Sequence, residues 1–169
     1  MKKLIFLLLP LFIFSCGNSS DEENIYTGES VTYSLFSGSD VGSAGQVEFR
    51  ERTDGAVDVI ITLDYFTGGG KYPVHLHYGD LSNPDAPQAT LLSDFDGNTG
   101  KSVTTIRVLA DETPFTYEGV KDFNGSVKIH LANTGADYDV IISAGNIGSN
   151  ESKGFNLESI ANCGQEVEL

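Results

Sequence analysis

From Ser30 onward the apolar positions of the chain recur every second residue. "SVTYSLF" alternates, and "GQVEFRER" places Val47 and Phe49 on one face with Glu48 and Arg50 on the other. A period of two belongs to strands with one buried face. "AVDVIITLDYF" follows across Thr53-Asp54-Gly55, and Asp-Gly between two alternating runs is a hairpin signal. "YPVHLHY", "ATLLSDF", "KSVTTIRVL", "GSVKIHL" and "YDVIISAG" continue the pattern, with Gly, Pro, Asn or Asp clusters between most of them. Only "DETPFTYEGVKDF" departs from it, and this stretch is expected to hold one helical turn near Tyr117 to Lys121. No βαβ spacing and no internal repeat is evident. About eight short, mostly antiparallel strands predict an all-β domain over residues 30–150, a Greek-key β-sandwich or barrel. Residues 151–169 show no clear period and are expected to form an irregular tail.

The ends of the chain follow other rules. Lys2 and Lys3 precede an apolar run from Leu4 to Phe14, about half the roughly 20 residues that a bilayer-spanning helix needs. Residues 1–15 therefore read as a targeting signal. Ser15-Cys16 resembles the end of a bacterial lipobox, which makes Cys16 the expected lipidation site and mature N-terminus. An ordinary secretory signal with an incidental cysteine is the alternative. "GNSSDEENIYTG" is too polar and acidic to offset its ordering entropy by burial, so residues 16–29 are expected to form a flexible tether. Ser20-Asp21-Glu22-Glu23 also resembles the acidic export tag of surface lipoproteins. These features predict an exported chain, held at the outer membrane or cell surface by lipid on Cys16.

Charge then narrows the partners. The net charge is −14, and losing Lys2 and Lys3 with the signal takes it to −16. Nucleic acid is excluded as a natural partner, because that binding neutralises phosphates with Lys and Arg. Of the two cysteines, a lipidated Cys16 leaves Cys163 without an intrachain partner. Either a spare thiol, an intermolecular bridge or an inert residue in the tail would fit, and no disulfide framework is expected.

The chemistry concentrates in three histidines, the only ones in the chain. In "PVHLHY", Val74 and Leu76 share one strand face and His75 and His77 the other. The core should claim the aliphatic pair, leaving the imidazoles outward with Cβ atoms roughly 7 Å apart. Both rings can then reach one ion at about 2.0 Å per metal–nitrogen bond. In "GSVKIHL", Val127, Ile129 and Leu131 take the core face, so His130 points outward beside Lys128. If the two strands are neighbours, the rings converge on one site. Imidazole triads suit copper or zinc and leave a coordination position open. Solvated histidines on an ordinary strand are the competing reading.

These residues resemble a known family. "YPVHLHYGD" looks like the H-x-H strand of Cu/Zn superoxide dismutase, "VKIHL" like its later copper-histidine strand, and "ISAGNIG" like its closing strand. "GQVEFRERTDGAVDVIITL" is similar to its opening hairpin. The chordin-type (CHRD) domain, with its own H-x-H strand, is an equally close resemblance. The likeness spans residues 30–150 and implies copper at His75, His77 and His130, with zinc second. The chain also departs from the dismutase pattern. The stretch "GDLSNPDAPQATLLSDFDGNTG" holds no bridging histidine, the active-site arginine would fall near Ile141, and no arginine follows Arg107. The family's disulfide is missing. What remains is metal binding without fast dismutation, with a metal-free CHRD-like interaction module and a slow copper-only dismutase as the alternatives.

Two neighbours of the histidines are candidates for a supporting role. Asp80 could orient a ring N–H, and Lys128 could supply local positive charge. "DFDGNTG" spaces Asp94, Asp96 and Asn98 as calcium loops do, but Gly97 comes too early and Thr105 is not acidic, so it is read as a turn. Gly68 to Gly70 precede a strand and read as a turn as well. No G-x-S-x-G, H-E-x-x-H or phosphate-cradling loop is present.

Overall fold

A computed structural model describes residues 25–83 and 86–154. The signal, Cys16, Cys163 and the tail from residue 155 lie outside the described residues. Eight strands form in chain order: β1 (Tyr26–Ser37), β2 (Gly45–Arg52), β3 (Val57–Leu63), β4 (Lys71–Tyr78), β5 (Gln88–Asp96), β6 (Lys101–Ile106), β7 (Asn124–His130) and β8 (Ile141–Gly148). They close into an antiparallel barrel in the order β1-β2-β3-β6-β5-β4-β7-β8. β4, β5 and β6 follow one another, and β7 returns by a long connection to lie beside β4, which is a Greek key.

The closure is uneven, and that reconciles barrel with sandwich. β5 and β6 share one ladder position, Asp96 with Lys101, and β1 meets β8 only at Phe36–Ala144 and Ser37–Ser143. The other pairings run the length of the strands. Two four-stranded halves result, β1-β2-β3-β6 and β5-β4-β7-β8, joined at two narrow seams. All three histidines belong to the second half.

Alternation in the sequence becomes the inside of the barrel. Val47, Phe49, Val59, Ile61, Val74, Leu76, Val127 and Ile129 are all buried in one core. Phe49 lies at its centre, edge-on to Tyr33 at 5.9 Å and beside Phe115 at 6.2 Å between ring centroids. The Asp-Gly hairpin forms as expected, with Gly55 at φ 80° and its N–H bonded to the Arg52 carbonyl. A left-handed φ is open to glycine at little cost. "DFDGNTG" is a turn, in which the Asp96 side chain accepts from the Asn98 N–H and from Lys71 Nζ. The helical turn, α1 (Tyr117–Val120), is capped by the Thr116 hydroxyl.

Strands β3 and β6 end three residues earlier than the pattern suggests, at Leu63 and Ile106, and two starting boundaries also differ from the expectation. β1 begins at Tyr26, inside the stretch expected to be a flexible tether. The Tyr26 hydroxyl donates to Asp58 at 2.6 Å, and Thr27 reaches Glu51, so cross-strand partners fix what composition alone leaves loose. β8 starts at Ile141 instead of Tyr138, because Gly135, at φ 79°, leads Ala136–Asp139 into a tight 3-10 turn.

Candidate metal centre

The register of β5, β4, β7 and β8 builds the site. His75 stands opposite Leu91 on β5 and Lys128 on β7, and Lys128 stands opposite Ala144 on β8. One residue pair along, Gln88, His77, Ser126 and Asn146 form a second row. His130 ends β7, two residues beyond Lys128 on the same face. The expected adjacency of the histidine strands is therefore met, and the three side chains leave the barrel interior together.

They do not reach water. His75 is 8 %, His77 2 % and His130 0 % exposed, and Lys128 is 2 % exposed. "Outward" here means away from the core and beneath two loops. Antiparallel β4 and β7 send these loops from opposite ends of the barrel: residues 79–83 and 86–87 follow β4, and residues 131–140 follow β7. The first loop is pinned by a small apolar cluster outside the barrel, in which Leu81 packs with Ile141 and Ala144. The Leu81 N–H also donates to Asn146 Oδ1 at 2.9 Å. The second loop lays the Tyr138 ring flat on His130, with centroids 4.6 Å apart and 6° between planes.

Each loop also fixes a tautomer. The Nδ1–H of His77 donates to the Ala86 carbonyl at 3.2 Å, and that of His130 to the Tyr138 carbonyl at 2.8 Å. A carbonyl only accepts, so both rings carry their proton on Nδ1 and present the Nε2 lone pair. Nδ1 of His75 is buried and has no hydrogen-bond partner. The Ser126 hydroxyl, opposite His77, is buried without one as well. Orphaned buried polar atoms are costly and call for an explanation.

One nitrogen from each ring lies within 4.8 Å of the others. A shared ion at about 2.0 Å from each would set them about 3.5 Å apart, a difference within reach of ring rotation. The residues therefore fit a metal ion: three imidazoles close together, two with settled tautomers and one with a nitrogen lacking any other partner. Compared with known proteins, the chain matches no family model, no curated protein and no solved structure. The site's chemistry rests on its own geometry.

Electrostatics keeps the cluster in its ligating state. Burial, reinforced by the Lys128 charge, lowers the pKa of His77 to about 4 against the opposing Ala86 hydrogen bond. Burial likewise brings His130 to about 4, opposed by the Tyr138 carbonyl and aided by its charged neighbours. His75 is lowered by burial and by Lys128, with Asp94 acting in the opposite direction. At neutral pH all three rings are neutral, the form that binds metals.

The two supporting candidates fare differently. Lys128 lies within the cluster, buried beside the histidines it influences. Asp80 does not orient a ring: its carboxylate accepts from the Ser82 N–H and hydroxyl and pairs with Lys153 at 3.0 Å. Backbone carbonyls of Ala86 and Tyr138 take that role instead. Sequence reasoning passed over Ser126, though its alternation with Lys128 and His130 in "SVKIH" could have found it. Ala86 and Tyr138 act through main-chain oxygens, which no side-chain pattern reveals.

Proposed function

We propose that the chain is an envelope or surface lipoprotein, anchored by lipid on Cys16, whose superoxide-dismutase-like or CHRD-like barrel binds copper through His75, His77 and His130. The observation that carries the reading is the buried triad, three imidazole nitrogens within 4.8 Å of one another. The ligating atoms would be Nε2 of His77 and of His130, whose Nδ1–H groups go to the carbonyls, and Nδ1 of His75. Imidazole nitrogens suit copper and zinc, and among the described residues the cluster contains no carboxylate, the ligand that harder ions prefer.

The role assigned is metal binding and not fast dismutation. No arginine follows Arg107 in the chain to attract superoxide, and Arg107 itself is paired with Asp54. A net charge of −14 repels an anionic substrate at long range.

Titration of the full chain with copper and with zinc tests the proposal, beside a His75→Ala/His77→Ala/His130→Ala variant. The expected result is one tight equivalent of copper, lost in the variant. Binding unchanged in the variant, or no binding, would return the domain to a metal-free interaction module. A dismutation rate near diffusion control in the copper-loaded chain would instead make it an enzyme.

A further inference from the structure

We infer that a cleft between the β1–β2 and β3–β4 connections is a binding site for a small organic cation, a quaternary ammonium group on a short apolar body. The inference is independent of the metal reading, because it uses none of the histidines. The cleft encloses about 370 Å³, within the roughly 300–1,000 Å³ of small-molecule sites. Three aromatic rings line it, those of Tyr65, Phe66 and Tyr72. Tyr65 is 90 % exposed, more than any other large apolar side chain among the described residues, and Val41, also in the lining, is 55 % exposed. A single bare apolar residue is ordinary, but bare residues gathered in one concavity mark a contact surface.

The walls are built in advance. Phe66 meets Tyr72 edge-on at 5.0 Å and Phe95 of the core at 5.7 Å between centroids, so this side is fixed from within. The Tyr65 N–H donates to Ser43 Oγ at 3.1 Å, and the Asp64 N–H to the Ala44 carbonyl at 2.9 Å, which ties the two connections together. The backbone of Tyr65 is thus anchored while its ring is left in water.

The lining also selects a charge. Asp40 is exposed and stands in no ion pair among the described residues, and no Lys or Arg lines the cleft. Aromatic faces carry negative charge and attract cations, so the rings and the carboxylate favour the same sign. The net charge of −14 draws cations to the surface as a whole. A neutral polar ligand would need several hydrogen-bonding side chains, and the Tyr72 hydroxyl already donates to the Gly69 carbonyl at 3.3 Å. A hard metal ion would need more than one carboxylate. An alkylated ammonium group meets both features, with its charge toward Asp40 and its methyl groups against the rings.

The experiment is an NMR titration of the full chain with choline and, separately, with its neutral isostere dimethylbutanol, in which carbon replaces the charged nitrogen. Choline should shift tyrosine ring signals saturably, and the isostere should bind about fivefold more weakly or worse. Tyr65→Ala should weaken choline binding by about fivefold and leave urea unfolding unchanged, since the ring it removes lies in water, whereas Tyr65→Phe should retain binding. Asp40→Asn should weaken it by about threefold and reduce its salt dependence. Leu91→Ala, a change at an exposed residue outside the cleft, should alter nothing. Absence of saturable choline binding overturns the inference. So does equal affinity for choline and the isostere, which would leave an apolar cleft without charge preference, or an affinity unchanged in Tyr65→Ala, which would put the bound choline elsewhere.

Discussion

His77 and His130 combine burial, a fixed tautomer and a pKa brought down to about 4. An ordinary histidine titrates near 6.5, so in the unfolded chain each ring takes up its proton about two units higher in pH than in the fold. Between pH 6.5 and pH 4 the unfolded state binds more protons, and stability therefore rises with pH across that window. The metal-free chain should lose stability as pH falls from about 6.5 to about 4, by up to about 1.4 kcal/mol per unit for each histidine. Urea unfolding at a series of pH values reads this directly, and a flat profile would mean that the rings are hydrated in solution. His77→Gln with His130→Gln should flatten the slope even if it lowers the stability at pH 7.

At the level of elements, the site depends on two loops more than on the barrel beneath them. Leu81 fastens the start of the loop after β4 to β8 through Ile141 and Ala144, and the same connection carries the Ala86 carbonyl that holds His77. Leu81→Ala should cost about 2 kcal/mol in stability, at the low end for a buried leucine because a loop can relax around the gap. It should also weaken copper binding by about tenfold, as loss of a ligand's orienting partner does. Calorimetric titration of the folded variant would show whether affinity falls; an unchanged affinity would mean that His77 needs no such support. Much of this level was legible in the sequence. Alternation located all eight strands, and the pairing of Val74 and Leu76 against His75 and His77 sorted inside from outside. The covering loops were not, because "LSNPDAPQ" and "ANTGADYD" carry no period and the bonds that orient His77 and His130 run to main-chain oxygens. Alternation turns the histidines away from the core, but a strand pattern distinguishes only two faces and says nothing of what lies over the second.

At the scale of the molecule, stability and site separate. The core that Phe49 anchors, with Tyr33 and Phe115 against it, fills the barrel, while the triad sits outside it on the β5-β4-β7-β8 half. Phe49→Ala should cost about 3–5 kcal/mol in urea unfolding. In the fraction that stays folded, copper affinity should match the wild type, because Phe49 lies on β2 in the other half. A parallel loss of affinity would show that the two halves are mechanically coupled. The paired loops carry a further consequence, one of rates. They arrive from opposite ends of the barrel, and the histidines beneath them are closed off although every strand pairing is intact. An ion held there would leave when a loop lifts, with the barrel still shut. Its release would follow the tempo of that opening, and an acceptor waiting outside, however concentrated, could not hurry it.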